Sequence, residues 1–299
     1  MHMLTTRIGR RSPDRTARYA LVHRLEIVAL AENTVRRAGL LGEHGLAFWI
    51  KADSRKLLFD TGQGKVLEEN ARELGIHLEG IEAVALSHGH YDHTGALHMA
   101  LRRSRRARTY LHPAALHAKY SRQEVPPHRS IGIPRPDKLA VQSGGRDVVW
   151  TAQPSEIVPG VWVTGEIPRM TDYEDVGGPF YTDRTCTQPD PLADDQALYV
   201  ESANGIVVLL GCAHAGVVNT LEYVSGITGR KRIHAVLGGM HLLRGSRRRV
   251  EATGDALERF KVRVIAPGHC TGAAAVAHLW NRFPSQVKEC STGARFVFQ

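Results

Sequence analysis

Ser87-His88-Gly89-His90-Tyr91-Asp92-His93 places three imidazoles and a carboxylate within positions 88–93. The segment directly follows residues 81–86, a short apolar run that reads as a buried strand delivering a loop. Two histidines separated by a glycine can bend toward one metal ion. Asp92 and His93, on the next turn, can reach that ion or a neighbour a few ångströms away. Imidazole and carboxylate suit zinc, iron and manganese, and such sets leave a position open for water or substrate. Histidine makes up 16 of the 299 residues, so three in six positions is not a chance enrichment in a polar loop.

Upstream and around this segment, residues 25–30, 45–50 and 56–60 read as strands, the last two joined by a polar turn at Asp53-Ser54. A helix is predicted over 65–74, stopped by Gly75, and another over 95–108 with a basic second half. Residues 117–192 are rich in Pro, Gly and charge, and read as long loops around strands at 147–151 and 161–164. Order then returns: a hairpin at 198–201 and 206–210, helices at 217–224, 254–261 and 273–282, and strands at 235–237, 262–266 and 294–298. Strand pairs in each half, each followed by strand–helix units, predict an α+β fold of two packed sheets with helices outside. No linker separates the halves, so residues 25–299 are expected to form one domain.

Length and composition exclude several classes. With 42% hydrophobic and 23% charged residues the chain is neither disordered nor a coiled coil, and no apolar run approaches the roughly 20 residues of a bilayer span. The net charge of +9 is concentrated at the start, where residues 1–24 carry six arginines against one acid. That stretch reads as a flexible basic extension. Four cysteines without a CxxC pair point to free thiols in a reducing, cytoplasmic setting. The cluster Arg102, Arg103, Arg105, Arg106, Arg108 could track nucleic-acid phosphates. With only 6% aromatics for base stacking, however, RNA processing is a minor alternative.

The HxHxDH pattern resembles the signature of the metallo-β-lactamase superfamily. Within it the chain looks most like the dihydropteroate-synthase-like branch, some of whose members are named dihydropterin-aminobenzene-phosphate synthases. The similarity runs through Glu43-His44-Gly45-Leu46, residues 58–63, 87–95 and 165–169, Asp194-Asp195-Gln196-Ala197-Leu198, Gly211-Cys212-Ala213-His214, residues 238–242 and His269-Cys270-Thr271-Gly272. It implies an αββα sandwich of two mixed sheets, with one or two divalent metals at the rim where loops from both sheets converge. Zinc is the first expectation, iron or manganese the alternatives.

The resemblance also assigns roles. His88, His90, Asp92, His93 and His269 become metal ligands, and Asp92 and Asp60 the catalytic acids, Asp60 matching an aspartate that orients ligand imidazoles. One departure stands out: superfamily hydrolases usually supply a third His and a bridging Asp, whereas residues 206–210 lead here into Gly211-Cys212-Ala213-His214, with no carboxylate. His214 is expected to be a ligand. Cys212, Asp194 and Asp195 are further candidates, because thiolate and carboxylate also bind zinc. His44, Arg169 and His241 are candidate substrate contacts, Arg169 as a bidentate partner for phosphate or carboxylate. The branch implies transfer of a dihydropterin methyl group from its diphosphate to an aryl amine. Hydrolysis of an ester, lactone or phosphodiester is the alternative. The expected partner is a small, phosphorylated molecule, not a membrane.

Overall fold

Every residue of the strand Gly205–Leu210 is buried, yet alternate side chains enter different cores. Val207 and Leu209 face inward, against residues of the other sheet, while Ile206, Val208 and Leu210 face a helical layer. A period of two on a doubly buried strand therefore builds two interfaces at once. The same alternation in Leu25–Ala31 sends Leu25, Ile27 and Ala29 inward and Val28 and Leu30 outward.

The computed structural model describes residues 20–143, 147–230 and 232–299. Its first half contains β1 (Leu25–Ala31), β2 (Ala47–Ala52), β3 (Arg55–Phe59), β4 (Ala83–Ala85), β5 (Arg108–Leu111), β6 (Tyr120–Ser121), β7 (Arg129–Ser130) and β8 (Val148–Trp150). The second half contains β9 (Ser155–Val158), β10 (Val161–Val163), β11 (Phe180–Tyr181), β12 (Leu198–Ser202), β13 (Gly205–Leu210), β14 (Ile233–Gly239), β15 (Val264–Gly268) and β16 (Arg295–Phe298). The helices are α1 (Leu67–Glu73), α2 (Tyr91–Thr94), α3 (Leu97–Arg103), α4 (Arg135–Gln142), α5 (Val217–Thr228), α6 (Arg247–Arg259) and α7 (Ala273–Arg282).

Two mixed sheets, ordered β16-β1-β2-β3-β4-β5-β8 and β15-β14-β13-β12-β10-β9, enclose the central core. Residues of α1, α3 and α4 pack on the outer face of the first sheet, and residues of α5, α6 and α7 on that of the second. The result is the αββα layering of the metallo-β-lactamase fold. A small third sheet, β11-β6-β7, stands apart from both. No helix among the described residues is long and apolar enough to cross a membrane.

Several local expectations change. The stretch 117–192 contains α4, hidden in the sequence because Pro134 and Pro136 look like breakers. In the structure Pro134 is the N-cap and Pro136 lies in the first turn, where a missing N–H is harmless. It also contains β9 and the two-residue strands of the third sheet. The helix expected over 95–108 ends at Arg103; residues 104–107 form a turn and Arg108 begins strand β5. Helix α6 begins at Arg247 rather than 254, because the Ser246 side chain caps it by accepting from Arg249 N at 3.2 Å. Residues 1–19 of the basic extension lie outside the described residues. The last part of that stretch belongs to the body: Val22 is buried, and its N–H donates to Glu201 O at 2.8 Å.

Candidate metal centre

Five strands deliver the site from their C-terminal ends. Asp60 follows β3, residues 87–93 follow β4, residues 211–214 follow β13, Met240-His241 follows β14 and His269-Cys270 follows β15. At four of these exits the chain turns through a left-handed residue other than glycine: Asp60 (φ 61°), Ala213 (54°), His241 (46°) and His269 (51°). Such conformations cost energy and persist where the surroundings fix them, a pattern concentrated at functional sites. Two glycines make the crowding possible. A Cβ on Gly89 would stand 2.2 Å from Ala115 O, and one on Gly211 only 2.1 Å from Ser87 Oγ.

The turns bring the imidazoles together. His88 Nε2 lies 2.9 Å from His90 Nδ1, and His93 Nε2 lies 3.2 Å from both His269 Nε2 and Cys212 Sγ. Asp92 Oδ2 is 3.6 Å from His269 Nε2. Nitrogens on one tetrahedral zinc, each 2.0–2.1 Å from the ion, stand about 3.3 Å apart, so this spacing fits shared ions. Two main sets of donor atoms result, His88/His90/His214 and Asp92/His93/His269, each with its donors within 4.8 Å of one another. Cys212 belongs with both halves, forming further sets with His88 and His93 and with His214 and His241.

A shared ion requires the free nitrogens to face the centre. In four rings one nitrogen is tied back: His88 Nδ1 to Ser87 Oγ (2.8 Å), His93 Nδ1 to Asp60 Oδ2 (2.7 Å), His214 Nδ1 to Val176 O (2.8 Å) and His269 Nδ1 to Asn33 Oδ1 (3.0 Å). Each leaves Nε2 for the centre, the arrangement by which outer partners fix a ligand's tautomer. His214 Nε2 is buried with no hydrogen-bond partner, a lone pair that a cation would satisfy. Burial pushes His90 down to about 3 and His269 down to about 4, and lowers His88 and His214 as well. These rings are thus neutral, the form that binds metal. Burial opposes charge on His93 too, but the surrounding negative groups, Asp60 first and then Asp92, together outweigh it and raise that ring to about 9. The donor set fits divalent ions.

Several expected residues serve elsewhere. Asp60 is fully buried and spends its oxygens on Ser87 N (2.6 Å), Ser87 Oγ (2.7 Å) and His93, so it positions the loop and does not reach the pocket as a catalytic acid. Asp194 lies behind the HxH loop, accepting from Gly89 N (2.7 Å) and from the buried Lys119 Nζ (2.8 Å). Asp195 accepts from Ala215 N at 2.7 Å, and burial raises it to about 6. Neither acid belongs to a ligand set among the described residues. Arg169 does not line the pocket, because its guanidinium donates to the carbonyls of His214 (2.6 Å) and Pro191 (2.9 Å).

The centre opens into a pocket of about 950 Å³ lined by His44, Asp92, Arg129, Phe180, His214 and His241, among others. His44 Nε2 meets Asp92 Oδ2 at 3.2 Å, and His241 Nε2 meets Gly177 O at 3.1 Å. The Phe180 ring packs 5.2 Å from His90 and 5.4 Å from His214, roofing one half of the centre. Sequence reading missed this roof, Lys119, and Cys270. The last sits with Cys212 and His269 in another donor set, and its only signal was adjacency to His269.

The profile of the metallo-beta-lactamase superfamily matches residues 41–269. The chain belongs to this superfamily. It is 27% identical to the 7,8-dihydropterin-6-methyl-4-(beta-D-ribofuranosyl)-aminobenzene-5'-phosphate synthase of Methanocaldococcus jannaschii, over 90% of this chain and 93% of that one. It is 30% identical to the uncharacterised protein MJ0448 of the same organism, over 85% and 93% of the two chains. The crystal structure of Tm1679, described as a metal-dependent hydrolase of the beta-lactamase superfamily, superposes with a TM-score of 0.76 at 30% identity, covering 91% of this chain and 98% of that one. As a superfamily member the chain is assigned to a family of metal-dependent enzymes, typically hydrolases, that use divalent ions.

Proposed function

We propose that this protein joins an aryl amine to a dihydropterin methyl diphosphate and releases diphosphate. The similarity to the archaeal synthase over nine-tenths of both chains carries the reading. The thiol of Cys212, in a place where superfamily hydrolases usually carry a carboxylate, supports it. His88, His90 and His214 would hold one ion, Asp92, His93 and His269 the other, with Cys212 between them. Imidazole and thiol donors favour zinc. When bound, the metals supply Lewis-acid stabilisation of the charge that develops on the departing diphosphate.

The chain's own residues orient and enclose the reactants. His44, steered by Asp92, and His241, steered by the Gly177 carbonyl, stand on the pocket wall as substrate contacts. Phe180 keeps water from the His90 and His214 rings. In the reaction the amine nitrogen forms a bond to the methyl carbon while that carbon's bond to oxygen breaks. Diphosphate leaves with the electron pair, and the amine's surplus proton passes to solvent.

A second reading is supported by the similarity to Tm1679, described as a hydrolase: water, rather than an amine, attacks. Turnover of a dihydropterin methyl diphosphate with an aryl amine in ¹⁸O-labelled water separates the two. Transfer gives a coupled product free of label. Label in the pterin alcohol, without coupled product, overturns it.

A further inference from the structure

Beside the metal pocket lies a smaller cavity of about 370 Å³, whose walls include Asp175, Gly177, Gly178, Arg244, Gly245 and Arg249. Gly177, Gly178, Pro179 and Arg244 line both spaces, so a bound molecule can reach from one into the other. Arg249 is only 1% exposed. Its Nη1 donates to Asp175 O (3.0 Å) and Asp175 Oδ1 (2.9 Å), but Nε and Nη2 are buried without any hydrogen-bond partner. An always-charged guanidinium with unmet donors is an unusual thing to bury, because each unmet donor carries its full desolvation cost. Arg244, at the boundary of the two spaces, is exposed and has no acid within ion-pair distance among the described residues. Helix α6 starts beside them at Arg247, adding the positive end of its dipole. Asp175 is the one acid in the wall, and its Oδ1 accepts from both Arg249 Nη1 and Gly177 N (2.8 Å).

We propose that this side cavity is an anion subsite in which Arg244 and Arg249 hold a phosphate monoester at the end of the substrate remote from the reacting bond. The inference rests on the reading of the substrate as phosphorylated and names where that phosphate sits. A phosphate presents several oxygens to a planar fork of N–H donors, which suits arginine better than lysine. The Asp175 carboxylate already shows how an anionic oxygen is received there.

Isothermal titration of inorganic phosphate into the purified protein tests the assignment. Phosphate can also bind at a metal, so the comparison is made in the His214→Ala background, where that route is impaired. His214→Ala alone is expected to keep a phosphate site. Adding Arg244→Ala, an exposed change that leaves the core intact, should weaken it at least about tenfold. Arg249→Gln should do the same if it folds. Loss of phosphate binding on His214→Ala alone, or equal affinity with and without Arg244, overturns the subsite. Label in the ¹⁸O experiment would instead defeat the transfer reaction and leave the phosphate site standing.

Discussion

The two halves of the metal centre lean on different parts of the molecule. Asp92, His93 and His269 are braced by the sandwich itself. Asp60 at the end of β3 holds His93, and Glu32 and Asn33 just after β1 hold the backbone and ring of His269 (2.5 and 3.0 Å). His88, His90 and His214 instead share their support with the roof. Ser87 holds His88, but Val176 holds His214, and Phe180 covers both His90 and His214. The difference separates a part set by strand geometry from a part set by the segment between β10 and β12. Cys212, with donors of both sets in reach, is the hinge between them.

The largest effect should come from removing ligands on either side. His93→Ala and His88→Ala are each expected to lower the metal content by about one ion per chain, measured by elemental analysis of the purified protein. Cys212→Ala should lower the occupancy of both halves, because its sulfur lies within reach of donors from both. If His88→Ala empties the centre as fully as a double variant, the halves are not separable and the comparison fails.

A smaller effect is expected at Asp60. Its two oxygens take three donors from Ser87 and His93, and asparagine keeps the shape while turning one acceptor into a donor. Loss of such outer partners typically costs about 10–100-fold in metal affinity. Asp60→Asn should therefore weaken binding at the His93 side by that order in a chelator competition. Because Ser87 also orients His88, a lesser loss should follow on the other side. Equal losses on both sides would mean that the sandwich braces the whole centre evenly.

The same division explains what the sequence could reveal. Near-continuous apolar runs in β2, β13 and β14 mark strands buried on both faces, and the exits of β4, β13, β14 and β15 carry the His-bearing segments, so the layers and most donor residues were legible. Asp194 and Asp195 misled because an acid before a strand looks the same whether it binds a cation or a backbone N–H. Only the fold places Lys119 and Gly89 against one and Ala215 against the other. Arg169 misled for a similar reason, its donors being taken by carbonyls distant in sequence. The roof was illegible because it has almost no periodicity: two-residue strands and single carbonyls are set by contacts, not by pattern.

The subtlest test concerns Glu174, which belongs to the roof yet ends a helix on the sandwich. Its Oε1 accepts from Val218 N at 2.8 Å and its Oε2 from Asn219 N at 2.9 Å, both in the first turn of α5. Asn219 returns the contact, accepting from Met170 N and Thr171 N at 2.9 and 3.1 Å. Helix α5 begins three residues after His214, and Glu174 lies two residues before the carbonyl that orients the His214 ring. Both supports of one ligand thus meet at one carboxylate. Glu174→Ala removes a cap, a change worth about 1–2 kcal/mol, and should lower the melting temperature by a few degrees. It should also weaken metal binding on the His214 side by a few-fold while leaving the His93 side unchanged, read by chelator competition against each ion. Thermal loss without any change in metal affinity would show that the roof stabilises the fold but does not aim His214.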